Sequence, residues 1–118
     1  MKTIMVVDDD QDSRELMASI LGDAGFAVVE CDNGHAALTQ MVGRTVLPDA
    51  IALDLDMPIM SGPELLAVLR NYLRLTRVPI VVVTGVKEPV DAEFPIVGYV
   101  TKPYEPSELV ELIKEATR

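Results

Sequence analysis

The stretch Thr3–Asp10, TIMVVDDD, joins five apolar or β-branched residues directly to three aspartates. An uninterrupted apolar run is typical of a strand that is buried on both faces, as in a parallel sheet. In open α/β sheets, ligands bind beyond the carboxyl ends of the strands. The stretch therefore predicts the first strand of an α/β fold, with Asp8 and Asp9 at the edge of the sheet where a site forms.

Four further short apolar runs follow, and helical patterns separate most of them. The predicted strands are Ala27–Cys31, Ala50–Leu53, Ile80–Val83 and Ile96–Thr101. The predicted helices are Asp12–Ala24, Asn33–Val42, a segment beginning at Ser61-Gly62-Pro63-Glu64, and a last segment beginning at Pro106. Strands that alternate with helices predict a parallel sheet with helices on both faces.

Apolar residues at helical spacing indicate which side of each helix faces the core. Asp12 is expected to cap the first helix, with Glu15 three residues on, and Gly25 is expected to end it. The predicted inner stripes are Leu16, Met17, Ile20, Leu21 and Ala24 in the first helix, Leu65, Leu66, Leu69, Tyr72 and Leu73 in the third, and Leu109, Leu112, Ile113 and Ala116 in the last.

The segment between the fourth and fifth strands departs from this alternation. Parallel strands need a crossover connection, which is usually a helix. Pro89 and Pro95 leave little uninterrupted chain for one, because proline within a helix removes a donor and clashes with the preceding turn. We expect the fourth helix to be short or missing.

The composition limits the class of protein. The chain has 118 residues, which we interpret as one domain over residues 1–118. No apolar run approaches the ~20 residues that a membrane span needs, and no secretory signal is recognisable, so we expect a cytoplasmic protein without membrane insertion. The net charge of −9 argues against direct nucleic-acid binding. The single cysteine, Cys31, excludes an internal disulfide and is expected to be buried.

Acidic and basic residues follow several of the predicted strands. Asp54 and Asp56 follow the third strand, Thr84 the fourth and Lys102 the fifth, so they can converge with Asp8 and Asp9 at one edge. Carboxylates gathered in a cleft repel one another unless a cation lies among them, and hard oxygen ligands suit Mg²⁺. An ammonium group and a hydroxyl beside such a metal predict a phosphoryl site. We expect only capping or solvated roles for Asp10 and Asp12, and an exposed His35.

At this point the chain resembles the receiver domains of two-component signalling along nearly its full length. The motifs that carry the resemblance are Val6-Val7-Asp8-Asp9, Asp54 three residues before Met57-Pro58, Gly62, Thr84-Gly85, Tyr99 three residues before Lys102, and Lys102-Pro103. The resemblance implies a flavodoxin-like, doubly wound, five-stranded parallel sheet in the order 2-1-3-4-5.

The resemblance also implies the chemistry of the site. The side chains of Asp9 and Asp54 and the backbone carbonyl of Asp56 would hold Mg²⁺, or alternatively Mn²⁺, with Asp8 bound through water. A histidine kinase or histidine phosphotransfer protein would donate a phosphoryl group to Asp54. Thr84 and Lys102 would hold its oxygens.

In such a domain, Tyr99 would turn inward as Thr84 moves, and a downstream protein would recognise the change. The chain would be a self-phosphorylating and self-dephosphorylating acceptor, not an enzyme that turns over a separate substrate.

Two features depart from the family pattern. The interval from Thr84 to Lys102 is shorter than usual by about one helical turn, which suggests an altered signalling surface. Asp56 adds a carboxylate two residues after Asp54, and our hypothesis is that it alters the rate of phosphate loss.

Three other interpretations compete. Asp54-Leu55-Asp56 also fits the nucleophile motif of haloacid-dehalogenase-type phosphatases, although the motif is not on the first strand. A flavin-binding module would share the fold class but would need a phosphate loop where three aspartates lie. An interaction domain independent of phosphate is the third, and the missing crossover helix keeps it open.

Overall fold

The computed structural model describes residues 1–43, 47–54, 77–85 and 96–118. Its strands are β1 Thr3–Val7, β2 Ala27–Cys31, β3 Ala50–Asp54, β4 Ile80–Thr84 and β5 Ile96–Thr101. Its helices in these ranges are α1 Gln11–Asp23, α2 Gly34–Val42 and α3 Pro106–Ala116. The predicted strands are confirmed, and β3 and β4 each extend one residue further than expected, to Asp54 and Thr84.

All five strands are parallel and lie in the order β2-β1-β3-β4-β5, as the family resemblance implied. The central strand β1 pairs with β2 on one side and β3 on the other, so Val7 is opposite both Cys31 and Leu53. The chain reverses its direction of winding at β1, and such a switch point opens a crevice at the carboxyl ends of the strands. Asp8 and Asp54 therefore emerge side by side at this crevice.

Both faces of the sheet are buried against helices. Ile4 and Val6 of β1 belong to a core shared with α1 and α3, whereas Met5 and Val7 belong to a core shared with α2. Successive side chains of a strand point to opposite faces, so a strand between two helical layers must be apolar at every position. This explains why β1, β3 and β4 lack the alternation of polar and apolar residues.

The start of α1 differs from the prediction. The N-cap is Asp10, whose carboxylate accepts a hydrogen bond from the Asp12 backbone N–H at 3.3 Å, so the prediction that Asp12 caps the helix is wrong. The cause is that the helix begins one residue earlier, at Gln11. Leu16 also departs from its predicted place in the stripe: it is 55% exposed, while Met17 and Leu21 are fully buried.

The ends of the other elements follow the sequence closely. After α1, Gly25 has φ +97°, and the N–H groups of Gly25 and Phe26 donate to the carbonyls of Gly22 and Leu21. This is the Schellman motif, in which glycine is favoured because the backbone is left-handed. Asn33 caps α2 by accepting from the N–H of Ala36 at 2.7 Å. Cys31 is buried and His35 is exposed, as predicted.

Two predictions about helices and connections lie outside the described residues. They are the third helix, with its start at 61–64 and its stripe from Leu65 to Leu73, and the irregular segment around Pro89 and Pro95. In α3, Leu109 and Ile113 are buried, and Leu112 and Ala116 pack against the same core, as the stripe predicted. Across the ranges that the structure describes, no helix is long and apolar enough to cross a membrane.

Candidate functional site

Three carboxylates meet at the crevice beyond β1 and β3. Asp8 and Asp9 follow β1, and Asp54 is the last residue of β3. Asp8 and Asp54 are buried, whereas Asp9 is exposed. One carboxylate oxygen from each of the three lies within 4.8 Å of the other two. The predicted convergence of acids from separate segments is therefore confirmed for Asp8, Asp9 and Asp54, and the three oxygens are close enough to bind one cation.

Lys102 brings a positive charge to this cluster from the end of β5. Its Nζ lies 3.2 Å from Oδ2 of Asp8 and 3.7 Å from Oδ2 of Asp54. The backbone holds Lys102 in place, because its N–H donates to the carbonyl of Thr84 at 2.8 Å. One ammonium group thus lies between two carboxylates that would otherwise repel each other.

The Asp8 carboxylate has donors on both oxygens. Oδ1 accepts from the Asp10 N–H at 3.0 Å, and Oδ2 accepts from the Ser13 hydroxyl at 2.6 Å as well as from Lys102. Burial raises the pKa of Asp8, but the hydrogen bonds from Ser13 and Asp10 and the charge of Lys102 together outweigh it. The pKa of Asp8 therefore lies below its usual range, and the group remains a carboxylate at neutral pH.

A second basic residue, Arg14 of α1, supports the chain segment that follows β1. Arg14 donates from Nη1 to the backbone carbonyl of Asp8 at 3.0 Å, and its Nε lies 3.4 Å from Glu30 Oε1. Arg14 on α1 thus links the end of β1 to β2 beside it. Neither Arg14 nor Ser13 was singled out in the sequence. Both lie in the first turns of a helix that follows an acidic pair, a signal too general to identify them without the fold.

Thr84 and Tyr99 lie on neighbouring strands. Thr84 is buried at the end of β4, opposite Thr101 of β5, and Tyr99 lies two residues before Thr101. Because side chains alternate along a strand, Tyr99 and Thr101 share one face of the sheet. Tyr99 is 42% exposed. The structure therefore places the two predicted switch residues diagonally across adjacent strands.

Tyr104 is a further residue that the sequence did not indicate. It follows the Lys102–Pro103 pair, and within the described part of the chain its buried hydroxyl has no hydrogen-bond partner. Burial and the negative charge of Asp8 raise the pKa of Tyr104. The residue lines an open cleft of about 300 Å³ together with Leu16, Pro103, Lys102, Ser13, Asp10 and Asp12.

The donor set fits a hard divalent cation. Asp9 and Asp54 offer carboxylate oxygens, and the exposure of Asp9 leaves room for water in the remaining positions. Magnesium prefers oxygen ligands and retains several waters. The backbone carbonyl of Asp56, the third predicted ligand, lies outside the described residues. The residues that the structure describes are thus compatible with a metal held mainly by Asp9 and Asp54.

Comparison with known proteins agrees with this arrangement. The family model described as "Response regulator receiver domain" matches residues 4–114. The phosphate regulon transcriptional regulatory protein PhoB of Pseudomonas aeruginosa is 36% identical over 121 residues, which cover 99% of this chain and 52% of that protein. The chain thus spans about half the length of this relative.

Two solved structures are similar over almost the whole chain. The chemotaxis protein CheY4 of Vibrio cholerae has a TM-score of 0.86 and 26% identity, with 98% of each chain covered. The response regulator TrrA of Thermotoga maritima, in complex with Mg²⁺-BeF, has a TM-score of 0.84 and 29% identity, with 98% of this chain and 99% of that one covered. The fold, the strand-end acids and the family match agree, and this chain belongs to the family of response regulator receiver domains.

Proposed function

We propose that this receiver domain accepts a phosphoryl group on Asp54 from a phosphohistidine, in a reaction that depends on Mg²⁺. The observation that carries the proposal is the contact of one ammonium group, Lys102 Nζ, with both Asp8 and Asp54 in a cluster that also contains Asp9. Such a group can hold oxygens that arrive on Asp54, because it already lies within 3.7 Å of that carboxylate.

The transfer is a displacement at phosphorus. An Oδ atom of Asp54 forms the new P–O bond as the P–N bond of the phosphohistidine breaks, and the imidazole, which carries a proton on its other ring nitrogen, keeps the P–N electron pair and leaves as the neutral base. The Lys102 ammonium group and the Thr84 hydroxyl then donate hydrogen bonds to the phosphoryl oxygens. A divalent cation held by Asp9 and Asp54, with Asp56, would supply charge neutralisation for the attacking carboxylate and the transferred group.

Magnesium is our choice of ion, with manganese as the alternative. The ligands are oxygens, and Asp9 is open to water, which suits an ion that dehydrates reluctantly. The similar TrrA structure is a complex with Mg²⁺-BeF. Asp8, whose two oxygens already accept from Asp10, Ser13 and Lys102, is better placed to contact the ion through water than directly.

The phosphodonor is a histidine kinase or a histidine phosphotransfer protein. A donor protein must reach Asp54 from the crevice side, and the cleft beside Lys102 presents exposed apolar surface there from Leu16 and Pro103. Isolated exposed leucines are common, but this one lines the same cleft as Lys102, whose Nζ lies 3.7 Å from the Asp54 carboxylate. We infer that Leu16 and Pro103 form part of the donor's docking surface.

A downstream protein recognises the phosphorylated state through a change at Thr84 and Tyr99. A phosphoryl group on Asp54 adds a dianion beside Thr84, since Asp54 and Val83 are opposite each other in the β3–β4 register. If the Thr84 hydroxyl moves toward the phosphoryl group, the space on its face of the sheet changes and Tyr99 can turn inward. Phosphorylation should then shift the NMR signals of the Tyr99 ring in the wild type but not in Thr84→Ala.

Mass spectrometry after treatment with acetyl phosphate and Mg²⁺ tests the proposal directly. We expect one phosphoryl group per chain in the wild type, none in Asp54→Asn, and normal phosphorylation in Asp23→Asn, an exposed position at the end of α1. Absence of any mass gain in the wild type would contradict the proposal. Continuous release of phosphate from a generic phosphomonoester would instead favour a phosphatase.

A further inference from the structure

Ser13 shares an acceptor atom with Lys102. The Ser13 hydroxyl lies 2.6 Å from Asp8 Oδ2, and Lys102 Nζ lies 3.2 Å from the same oxygen. The other oxygen, Oδ1, accepts from the Asp10 N–H. Among the residues described, these are the donors to the Asp8 side chain, and two of the three act on one oxygen.

Phosphoryl transfer changes this arrangement. Lys102 Nζ lies closer to Asp8 than to Asp54 before transfer, at 3.2 Å compared with 3.7 Å. If the ammonium group moves to the phosphoryl oxygens on Asp54, it must loosen its contact with Asp8. Asp8 is fully buried, so bulk water has little access to the oxygen that Lys102 leaves. A buried carboxylate oxygen without a donor carries a large desolvation cost.

The position of Ser13 is well suited to compensate for that loss. The residue lies in the first turns of α1, whose start is held by the Asp10 cap. Its neighbour Arg14 holds the Asp8 backbone carbonyl at 3.0 Å. Two contacts therefore hold α1 against Asp8: the hydrogen bond from the Ser13 hydroxyl to the carboxylate and the one from Arg14 to the backbone carbonyl. Neither contact depends on Lys102.

We propose that Ser13 is a positioning residue that keeps Asp8 Oδ2 hydrogen-bonded while Lys102 moves to the phosphoryl group on Asp54. This inference rests on the proposed function of Asp54 as acceptor. The hydroxyl lowers the cost of the shift because Asp8 retains one donor on each oxygen throughout. Ser13 acts through Asp8 and Lys102 and does not contact the reacting atoms.

Three variants test the role of Ser13. Ser13→Ala removes the hydroxyl, Ser13→Thr retains it, and Ser19→Ala is a matched control at an exposed position of the same helix. Alanine has a higher helix propensity than serine, so Ser13→Ala should remain folded, which circular dichroism can verify. Titration calorimetry with Mg²⁺ alone measures the metal site, and intact-mass time courses with acetyl phosphate measure phosphorylation.

The expected result is a separation of the two measurements. Without a phosphoryl group, Lys102 still donates to Asp8, so the Mg²⁺ affinity of Ser13→Ala should remain within about twofold of the wild type. Its phosphorylation rate should fall roughly tenfold, as expected when a charged group loses one hydrogen bond. Ser13→Thr and Ser19→Ala should both retain the wild-type rate.

Two outcomes would overturn the inference. One is wild-type phosphorylation by Ser13→Ala. The other is a loss of Mg²⁺ affinity as large as the loss of rate, which would mean that Ser13 supports the metal site and not the movement of Lys102. Failure of the proposed function is distinguishable from both, because the wild type itself would then gain no phosphoryl group.

Discussion

The Nζ atom of Lys102 lies 3.2 Å from Asp8 Oδ2, although the two residues are 94 positions apart in the chain. The contact joins the ends of β5 and β1, two strands that are separated in the sheet by β3 and β4. The Lys102 charge partly neutralises Asp8 and Asp54 together.

Replacing Lys102 should slow phosphorylation without weakening metal binding. In Lys102→Gln the three carboxylates lose their nearest cation, so Mg²⁺ has no competitor and its affinity should be equal to or higher than that of the wild type. Phosphorylation by acetyl phosphate should be slower by about 100-fold, because the transferred oxygens lose a preorganised positive charge. Titration calorimetry and intact-mass time courses measure the two quantities.

The control for this prediction is Lys114→Gln, which removes the same charge from an exposed position on α3. It should resemble the wild type in both measurements. A Lys102→Gln variant that lost Mg²⁺ affinity and phosphorylation in parallel would argue against competition between the ammonium group and the metal.

The lowered pKa of Asp8 predicts a pH-dependent contribution to stability. A carboxyl group whose pKa is lower in the folded protein stabilises the fold above the pKa of the unfolded chain, and this contribution is lost as the pH falls through the folded-state pKa. Relative to Asp8→Asn, the free energy of unfolding of the wild type should be constant above about pH 5 and decrease below about pH 4. Urea denaturation without Mg²⁺ measures this difference, and a difference independent of pH would contradict the assignment.

Leu16 should matter for a protein donor but not for a small one. Leu16→Ala removes apolar surface from the cleft beside Lys102, and we expect phosphotransfer from a cognate histidine kinase to fall by a factor of about 10, comparable with the loss of one buried apolar side chain at an interface. Phosphorylation by acetyl phosphate should be unchanged. Because the side chain is 55% exposed, the free energy of unfolding should change by less than about 0.5 kcal/mol.

Val42→Ala provides the matched control, since Val42 is similarly exposed, at 53%, but lies on α2. Both variants remove exposed apolar surface, and only Leu16→Ala should slow the protein donor. Equal effects of the two variants would show that the cleft is not the docking surface.

Two glycines near the end of α1 should respond oppositely to alanine. Gly22 is within the helix, and a Cβ there would meet no atom within 4 Å, so Gly22→Ala should raise the free energy of unfolding by up to about 1 kcal/mol. Gly25 has φ +97°, so Gly25→Ala should lower it by about 1–2 kcal/mol. Chemical denaturation measures both, and stabilisation by Gly25→Ala would contradict the left-handed conformation.

Much of the fold was predictable because local patterns and packing agree. The strands β1, β3 and β4 each contain four consecutive apolar residues, a run typical of a strand in a sheet that is buried on both faces. Residue type does not decide the cap of α1, because Asp10 and Asp12 are equally good capping residues. Helical spacing permits burial of Leu16, but its exposure depends on the cleft that it lines with the loop after β5, which the spacing does not reveal.

The candidate site was predictable in its members but not in its contacts. A change from apolar to polar residues marks a strand end, so the sequence is enough to predict that Asp8, Asp9, Asp54, Thr84 and Lys102 lie at the ends of parallel strands. The packing of α1 and of the chain after β5 brings Ser13 and Lys102 to the same oxygen of Asp8, and no sequence pattern specifies that contact. Spacing along the chain specifies which edge of the sheet a side chain reaches, but a hydrogen bond of 2.6 Å depends on how α1 packs against that edge.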